Sequence, residues 1–415
     1  MPTVSPFQRL LLATGISNVG DGVRVVAMPL MAIRFTDDPR LIAGVVAATR
    51  LPWLVFLLPG GALADRFDRL RMRVVLDAFR AVVGLGFVVL VATGHAGLAS
   101  LYAVTILLSS AEAIVDSSSM ALVPSLVDPD DLEHGVGRLQ GTEIVAGELA
   151  GPVLGGLLFS LALAAPFVVD AASFALSALI ALTITGTFRV EQPARPATVG
   201  ARGAIVDMGR SIREGLAWLW SQPTLRNLAL LGALLGTLSF AFVGVLVVFA
   251  TDDLGLSDSQ FGLLMIPSAI GGMAGAWGAP KLRSLPLGVV VGVAVVTTGL
   301  ADVAISRSSS LVMISVLLVV DAAAILVWNV LIVAFRQRMI PTALLGRVGA
   351  SFRFLLFLGA PLGALAGGAL ADVAGARTTI LVSGVGTTLS GLVVWVVVSR
   401  ANVMPAVPRM EPASA

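Results

Sequence analysis

Long apolar blocks and short polar breaks alternate along the whole chain. The blocks are each about twenty residues long, and the breaks hold most of the arginines together with prolines and glycines. An apolar run of about 18 residues or more is long enough to cross a bilayer as a helix. Twelve can be drawn, at roughly 9–33, 42–64, 73–93, 98–122, 142–162, 165–187, 227–250, 260–280, 285–305, 310–334, 349–371 and 376–399. A transmembrane barrel would instead show segments of about ten residues with alternating polarity. The pattern predicts an all-α membrane protein of twelve transmembrane helices.

The twelve divide into two sixes. From Gly137 the chain runs GRLQGTEIVAGELAGPVLGG, and from Gly346 it runs GRVGASFRFLLFLGAPLGALAGG. Arg138 precedes Pro152 by 14 positions, Arg347 precedes Pro361 by 14, and the two copies are offset by 209. A repeat at half the chain length matches helix 5 to helix 11. The expected organisation is an N-terminal six-helix bundle at 1–187, a linker at 188–226, a C-terminal six-helix bundle at 227–400 and a tail at 401–415. The linker begins loop-like with QPARPATVGARG. It then places Ile212, Leu216, Leu219 and Trp220 on one helical face, as an amphipathic helix on a membrane surface would. A tether between the bundles is its plainest role. Two such halves describe a secondary transporter with its substrate site where they meet.

Composition agrees with this picture. Hydrophobic residues make up 57% and charged residues 13%, against about 25% charged in soluble domains. The pI near 9.8 reflects loop arginines, since the net charge is only +2, and nucleic acid is not an expected partner. With the N-terminus on the inner side, about nineteen Lys and Arg residues fall on inner loops and ends and about four on outer ones. Such a bias places both termini in the cytoplasm. In that count Arg73 belongs to the inner loop. No cleavable leader is expected, because the first apolar run is too long and carries Asp21 and Arg24. There is no cysteine, so thiol chemistry is excluded.

Residues 59–73, PGGALADRFDRLRMR, concentrate charge directly after a Gly-Gly pair. Gly61, Leu63, Asp65, Arg66 and Arg69 resemble the signature loop of the major facilitator superfamily, with Asp68 where the family has a second glycine. In that family the loop is a latch, its aspartate meeting the start of helix 11. The resemblance therefore implies a gating set of Gly61, Asp65, Arg66 and Arg69, with Arg353 facing Asp65. Asp77 and Arg80, three apart in helix 3, would brace the loop. A second GGALAD, at 367–372, lacks the arginine cluster and reads as helix packing only. Helix 5 carries Gly147, Gly151, Pro152, Gly155 and Gly156, similar to the motif of proton antiporters that export their substrate. GISNVGDGV, RLPWLVFLLPGGALADR, DAFRA, VDAASFALSAL and RVGASFRFLLF are similar to exporters related to the enterobactin exporter and the macrolide efflux proteins. The resemblance implies the major facilitator fold, a bacterial inner-membrane location, a monomer, and a small-molecule substrate exchanged for protons.

Ionisable groups within a bilayer cost about 2.5–3.5 kcal/mol each on insertion scales, so each needs a reason to be there. Glu112 and Asp116 share one face of helix 4, and Asp21 is three residues from Arg24 in helix 1. Asp21 is expected to pair with either Arg24 or Arg50. The family places helices 1, 4, 7 and 10 around a cavity. Glu112, Asp116, Asp21, Arg24 and Arg50 are thus the candidates for proton and substrate coupling. Phe240, Phe242, Asp321, Trp328 and Asn329 would line the opposite wall, suited to an amphipathic molecule. Asp302, near an outer helix end, reads as solvated.

Other classes fare worse. His95 and His134 lie in loops, there is no HExxH, and Lys281 follows GAWGAP without phosphate-loop spacing. Neither an enzyme, an ATP-driven pump nor a cofactor or metal site is expected. A siderophore exporter, an importer and a non-transporting receptor or scaffold stay open as alternatives.

Overall fold

A computed structural model describes residues 5–56, 68–128, 131–186, 188, 213–340 and 345–401. Among these are twelve helices long and apolar enough to cross a membrane. The N-terminal half holds α1 (Pro6–Ala32), α2 (Pro39–Phe56), α3 (Arg69–Ala92), α4 (Leu98–Leu122), α5 (His134–Leu161) and α6 (Ala165–Leu182). The C-terminal half holds α7 (Pro223–Asp253), α8 (Asp258–Ser284), α9 (Leu287–Arg307), α10 (Leu311–Met339), α11 (Leu345–Ala374) and α12 (Ala376–Ala401). Consecutive helices run antiparallel, so both described chain ends lie at one end of the bundle, the terminal end. The α1–α2, α3–α4 and α7–α8 loops lie at the other, the far end.

The helices extend beyond their apolar runs. α5 already begins at 134 and α10 continues to Met339, because polar residues such as His134, Arg138 and Arg336 continue a helix past the stretch that hydropathy marks. Residues 213–221 of the linker are helical, with Leu219 buried against Leu225 and Leu228 and Trp220 exposed. Ile212 lies outside the described residues. Asp68, the departure from the family loop, caps α3: its Oδ1 accepts from Arg71 N at 2.9 Å and its Oδ2 from Phe188 N at 3.0 Å. An aspartate at an N-cap satisfies amide groups that a glycine would leave open. It also ties the start of α3 to the end of α6.

Large apolar side chains remain on the outside. Val75, Val82, Leu161 and Val373 are 65%, 71%, 79% and 84% exposed. Apolar surface on this scale is not sustained in water, and it is what a helix bundle presents to lipid. Polar side chains inside the helices bond back to their own backbone, as Thr105, Ser119 and Thr388 do to the carbonyl four residues earlier.

Each half contains a tight pair formed by corresponding helices. Gly147, Gly151 and Gly155 of α5 face Asn18, Gly22 and Val23 of α1; a Cβ on Gly151 would lie 2.8 Å from the Gly22 carbonyl carbon. Gly359, Gly363 and Gly367 of α11 face α7 in the same way, against Ala233, Thr237 and Ala241. Glycines four apart make a flat strip along which two backbones can touch.

The halves meet through α2 against α7 and α11, and through α5 against α8. At the far end Arg34 pairs with Asp258 at 2.6 Å and Arg40 with Asp372 at 3.5 Å. Gly156 lies against Gly262, where an added Cβ would be 2.8 Å from the Gly262 nitrogen. The second GGALAD therefore does more than pack, because its Asp372 carries an ion pair across the halves. Those two pairs are partly exposed, and such pairs contribute only about 0–1 kcal/mol each. The glycine contact is the more demanding requirement. The chain has no native cysteine, so spin labels can be placed at Leu161→Cys and Val373→Cys alone. Gly156→Val is expected to lengthen the distance between them in a pulsed dipolar measurement. An unchanged distribution would show that this contact does not hold the far end shut.

Candidate functional site

Three arginines organise the N-terminal half. Arg24 of α1 donates to Asp21 at 2.6 Å, to Glu112 of α4 at 2.5 Å and to Ser109 at 3.2 Å. Its Nε lies 3.9 Å from Asp170 of α6. Arg80 of α3 reaches the same Asp21 carboxylate and also contacts Asp77 at 3.4 Å and Ser17 at 3.2 Å. Its guanidinium lies 3.7 Å from the Phe174 ring centre. Arg73 of α3 lies 3.6 Å from Asp77 and bonds Ser119 and Ser177, and Ser177 donates to Asp77 at 2.7 Å. Arg73, Asp77, Arg80, Asp21, Arg24 and Glu112 thus form one file of alternating charge through the half. All three arginines are buried, and each is met by at least one acid. Burying such pairs stabilises little in net terms, but an unpaired member would be costly.

A cavity of about 660 Å³ lies between the halves, within the range of about 300–1,000 Å³ typical of small-molecule sites. α2 and α5 bring Arg50 and Glu148 to it. α7 brings Phe240 and Phe242, and α10 brings Asp321, Trp328 and Asn329. α9 adds Thr298 and Asp302, α11 adds Phe357 and α12 adds Thr387. Arg50 stands 5.3 Å from the Phe240 ring centre and within electrostatic range of Glu112 and Glu148. Trp53 stacks on Phe357 at 5.8 Å, joining α2 to α11 beside the cavity.

The residues expected from sequence fall into three places. Asp21, Arg24 and Glu112 come together in the charge file. Asp116, one turn along α4, has no ion pair or hydrogen bond among the described residues. Asp21 pairs with Arg24 and not with Arg50, which belongs to the cavity instead, so the Asp21–Arg50 alternative falls. Phe240, Phe242, Asp321, Trp328 and Asn329 all line that cavity. Asp77 and Arg80 do more than brace a loop, since Arg80 carries the file on to Asp21. Gly61, Asp65 and Arg66 lie outside the described residues, as does the side chain of Arg353, while Arg69 opens α3.

Other features were missed. Arg73, counted as a loop cation, is 1% exposed inside the bundle. Arg73, Asp77 and Arg80 stand at i, i+4 and i+7, a helical stripe that the sequence displays. Asp302, read as solvated, is 4% exposed and lines the cavity; Gly384 of α12 leaves the room it occupies. Glu148 sits on a π-helical stretch, Ile144–Ala150, directly before Gly151-Pro152. A proline ring clashes with the carbonyl four residues earlier, and a π turn relieves that clash.

Comparison with known proteins follows from this geometry. The family described as transmembrane secretion effector matches residues 3–410. The chain is 29% identical over 398 residues to the multidrug efflux pump Tap of Mycobacterium tuberculosis, covering 92% of this chain and 91% of that protein. It is 27% identical over 290 residues to the enterobactin exporter EntS of Shigella boydii, covering 68% and 65%. Among solved structures it resembles the nucleoside transporter NupG, with a TM-score of 0.72 at 14% identity over 94% of this chain and 98% of that one. It also resembles a bacterial homologue of the iron transporter ferroportin in the inward-facing state, with a TM-score of 0.73 at 20% identity over 96% and 100%.

Removing Arg24 would leave Glu112 and Asp170 without the cation they share, and Asp21 with Arg80 alone. Breaking a buried pair in this way costs about 3–5 kcal/mol. Arg24→Met is therefore expected to lower the melting temperature of the detergent-purified protein sharply. Asp170→Asn, whose contact with Arg24 is the longest at 3.9 Å, should lower it far less. Equal effects would mean that Arg24 is not the organising charge.

Proposed function

This chain belongs to the transmembrane secretion effector family of the major facilitator superfamily, and from that premise we propose that it exports amphipathic drug-like or secondary-metabolite molecules in exchange for protons. It is a multi-pass membrane transporter. The finer reading is antiport by alternating access, in a bacterial cytoplasmic membrane with both termini inside. One observation carries it: a cavity of drug-like size lies between two six-helix halves and is walled by aromatic rings and ionisable groups together. With the termini inside, the far end, where Arg34–Asp258, Arg40–Asp372 and the Gly156–Gly262 contact join the halves, would face outward. Substrate would enter from the cytoplasm.

Support for export comes from the relatives named as an efflux pump and an exporter, and from the glycine-proline pattern of α5. Glu112 and Asp116 supply the proton step in this reading. Glu112 exchanges Arg24 as a partner for a proton, and Asp116, without a cation of its own, stands one turn away. The loop with Gly61, Asp65, Arg66 and Arg69 would latch the terminal end when the far end opens. A single chain holds the complete cavity, so a monomer suffices. An anionic siderophore fits less well, because Arg24 is already held by acids and, among the described residues, Arg50 is the one cation that faces the cavity.

The test is uptake into everted membrane vesicles under an imposed pH gradient, with a panel of lipophilic cations, neutral drugs and siderophores. Wild type is expected to accumulate members of the panel, and Glu112→Gln to lose the gradient-dependent part. Transport by Glu112→Gln equal to wild type would move the coupling site elsewhere. A receptor or scaffold would move nothing in either form.

A further inference from the structure

The two halves treat buried charge differently. In the N-terminal half each acid of the file touches an arginine. In the C-terminal half Asp302 and Asp321, 4% and 8% exposed, line the cavity with no cation on their own helices near them. They are close enough for their charges to act on one another. Asp321 Oδ1 and Thr298 Oγ1 are both buried and lie near each other, and neither makes a hydrogen bond of ordinary geometry among the described residues. An unpaired carboxylate cannot stay charged cheaply in such surroundings, so the pair must hold either protons or a positive ligand.

Other charges facing the cavity do not resolve this. Arg50 from α2 is the one cation in the lining among the described residues, and it is answered by Glu112 and Glu148. α7, α11 and α12 face the pair with hydroxyls, aromatic rings and apolar side chains. α8 has no titratable residue between Met265 and Gly278. The cavity therefore carries unmatched negative capacity on its C-terminal wall, beside the faces of Phe240, Trp328 and Phe357. Aromatic faces attract cations through their quadrupole, and more strongly where water is excluded.

We propose that Asp302 and Asp321 seat the positive charge of the transported molecule, so that the substrate class is organic cations with an apolar body. This rests on the transporter reading of the same cavity, and moves cation recognition away from the Glu112 side. As the cation arrives, the proton held by the pair leaves to water and the carboxylate forms an ion pair with it. When the cation departs, a proton returns. Cation and proton thus compete for one site, while Glu112 and its arginine stay in the other half. Thr298 supplies a hydroxyl to whichever occupant is present.

Binding of tetraphenylphosphonium to the purified full chain, followed by calorimetry across pH, tests this. Affinity is expected to rise with pH in wild type. Asp321→Asn and Asp302→Asn are each expected to weaken it by about 30-fold or more, as truncating a buried charge partner does. Asp321→Glu should recover part of the loss. Wild-type affinity in Asp321→Asn would overturn the proposal.

If the variants misfold, the wild type decides. Dicyclohexylcarbodiimide modifies protonated carboxyl groups in apolar surroundings, and peptide mass spectrometry locates the adduct. Labelling at Asp302 or Asp321 that tetraphenylphosphonium prevents is the expected result. Labelling there that the cation leaves unchanged, or no labelling there, overturns the site. Gradient-driven transport of a neutral drug without cation binding would sink this inference alone, whereas no transport of any probe would sink the exporter reading beneath it.

Discussion

An arginine taken out of water must be met by acid within a few ångströms, and the N-terminal half is arranged around that requirement. Arg24 can lie where it does because α1 supplies Asp21, α4 supplies Glu112 and α6 approaches with Asp170. Arg80 then shares Asp21 and draws in α3. Four helices that sequence alone would leave free to slide are registered by one set of charges. Dispersion packing between apolar faces is nearly as good at several registers, and charge pairing at low dielectric is not. The position of α4 against α1 follows from that registration.

The duplicated halves share a scaffold and differ in what they leave unsatisfied. In each, a strip of glycines brings two helices into backbone contact, α1 with α5 and α7 with α11. On that common frame the first half pairs its three buried arginines with acids of its own. The second keeps two acids facing the cavity with no basic partner among the described residues. A carrier needs both conditions: one body that holds its shape and one surface with capacity for what passes. Duplication supplies two copies of the frame, and divergence of a few side chains assigns the roles.

Much of this could be read from the chain before its structure. Apolar block length located twelve helices, and the paired Gly-Arg and proline spacings matched helix 5 to helix 11. Asp21, Arg24 and Glu112 were visible because ionisable residues stand out in an apolar run. What stayed hidden depends on distances between helices. Nothing local says that Arg73 turns inward rather than toward the terminal end, although its spacing to Asp77 and Arg80 draws a helical stripe. Asp302 lies close to a helix end, where hydropathy predicts water; the bare backbone of Gly384 keeps it inside. The choice between Arg24 and Arg50 as the partner of Asp21 required the third dimension.

The contact of Gly156 with Gly262 has a kinetic consequence. A joint between two helices is usually toothed, because side chains of one fill grooves in the other and must be withdrawn before the surfaces part. Here two glycine faces meet, and no rotamer has to change for them to separate. At this contact the resistance to opening is the wetting of two short strips of backbone, to which the two partly exposed ion pairs and the apolar packing of α2 on α7 and α11 add. A joint without teeth at this one point leaves the stiffness of the gate to the side chains packed around it, which the occupant of the cavity touches directly through Phe240 and Phe242.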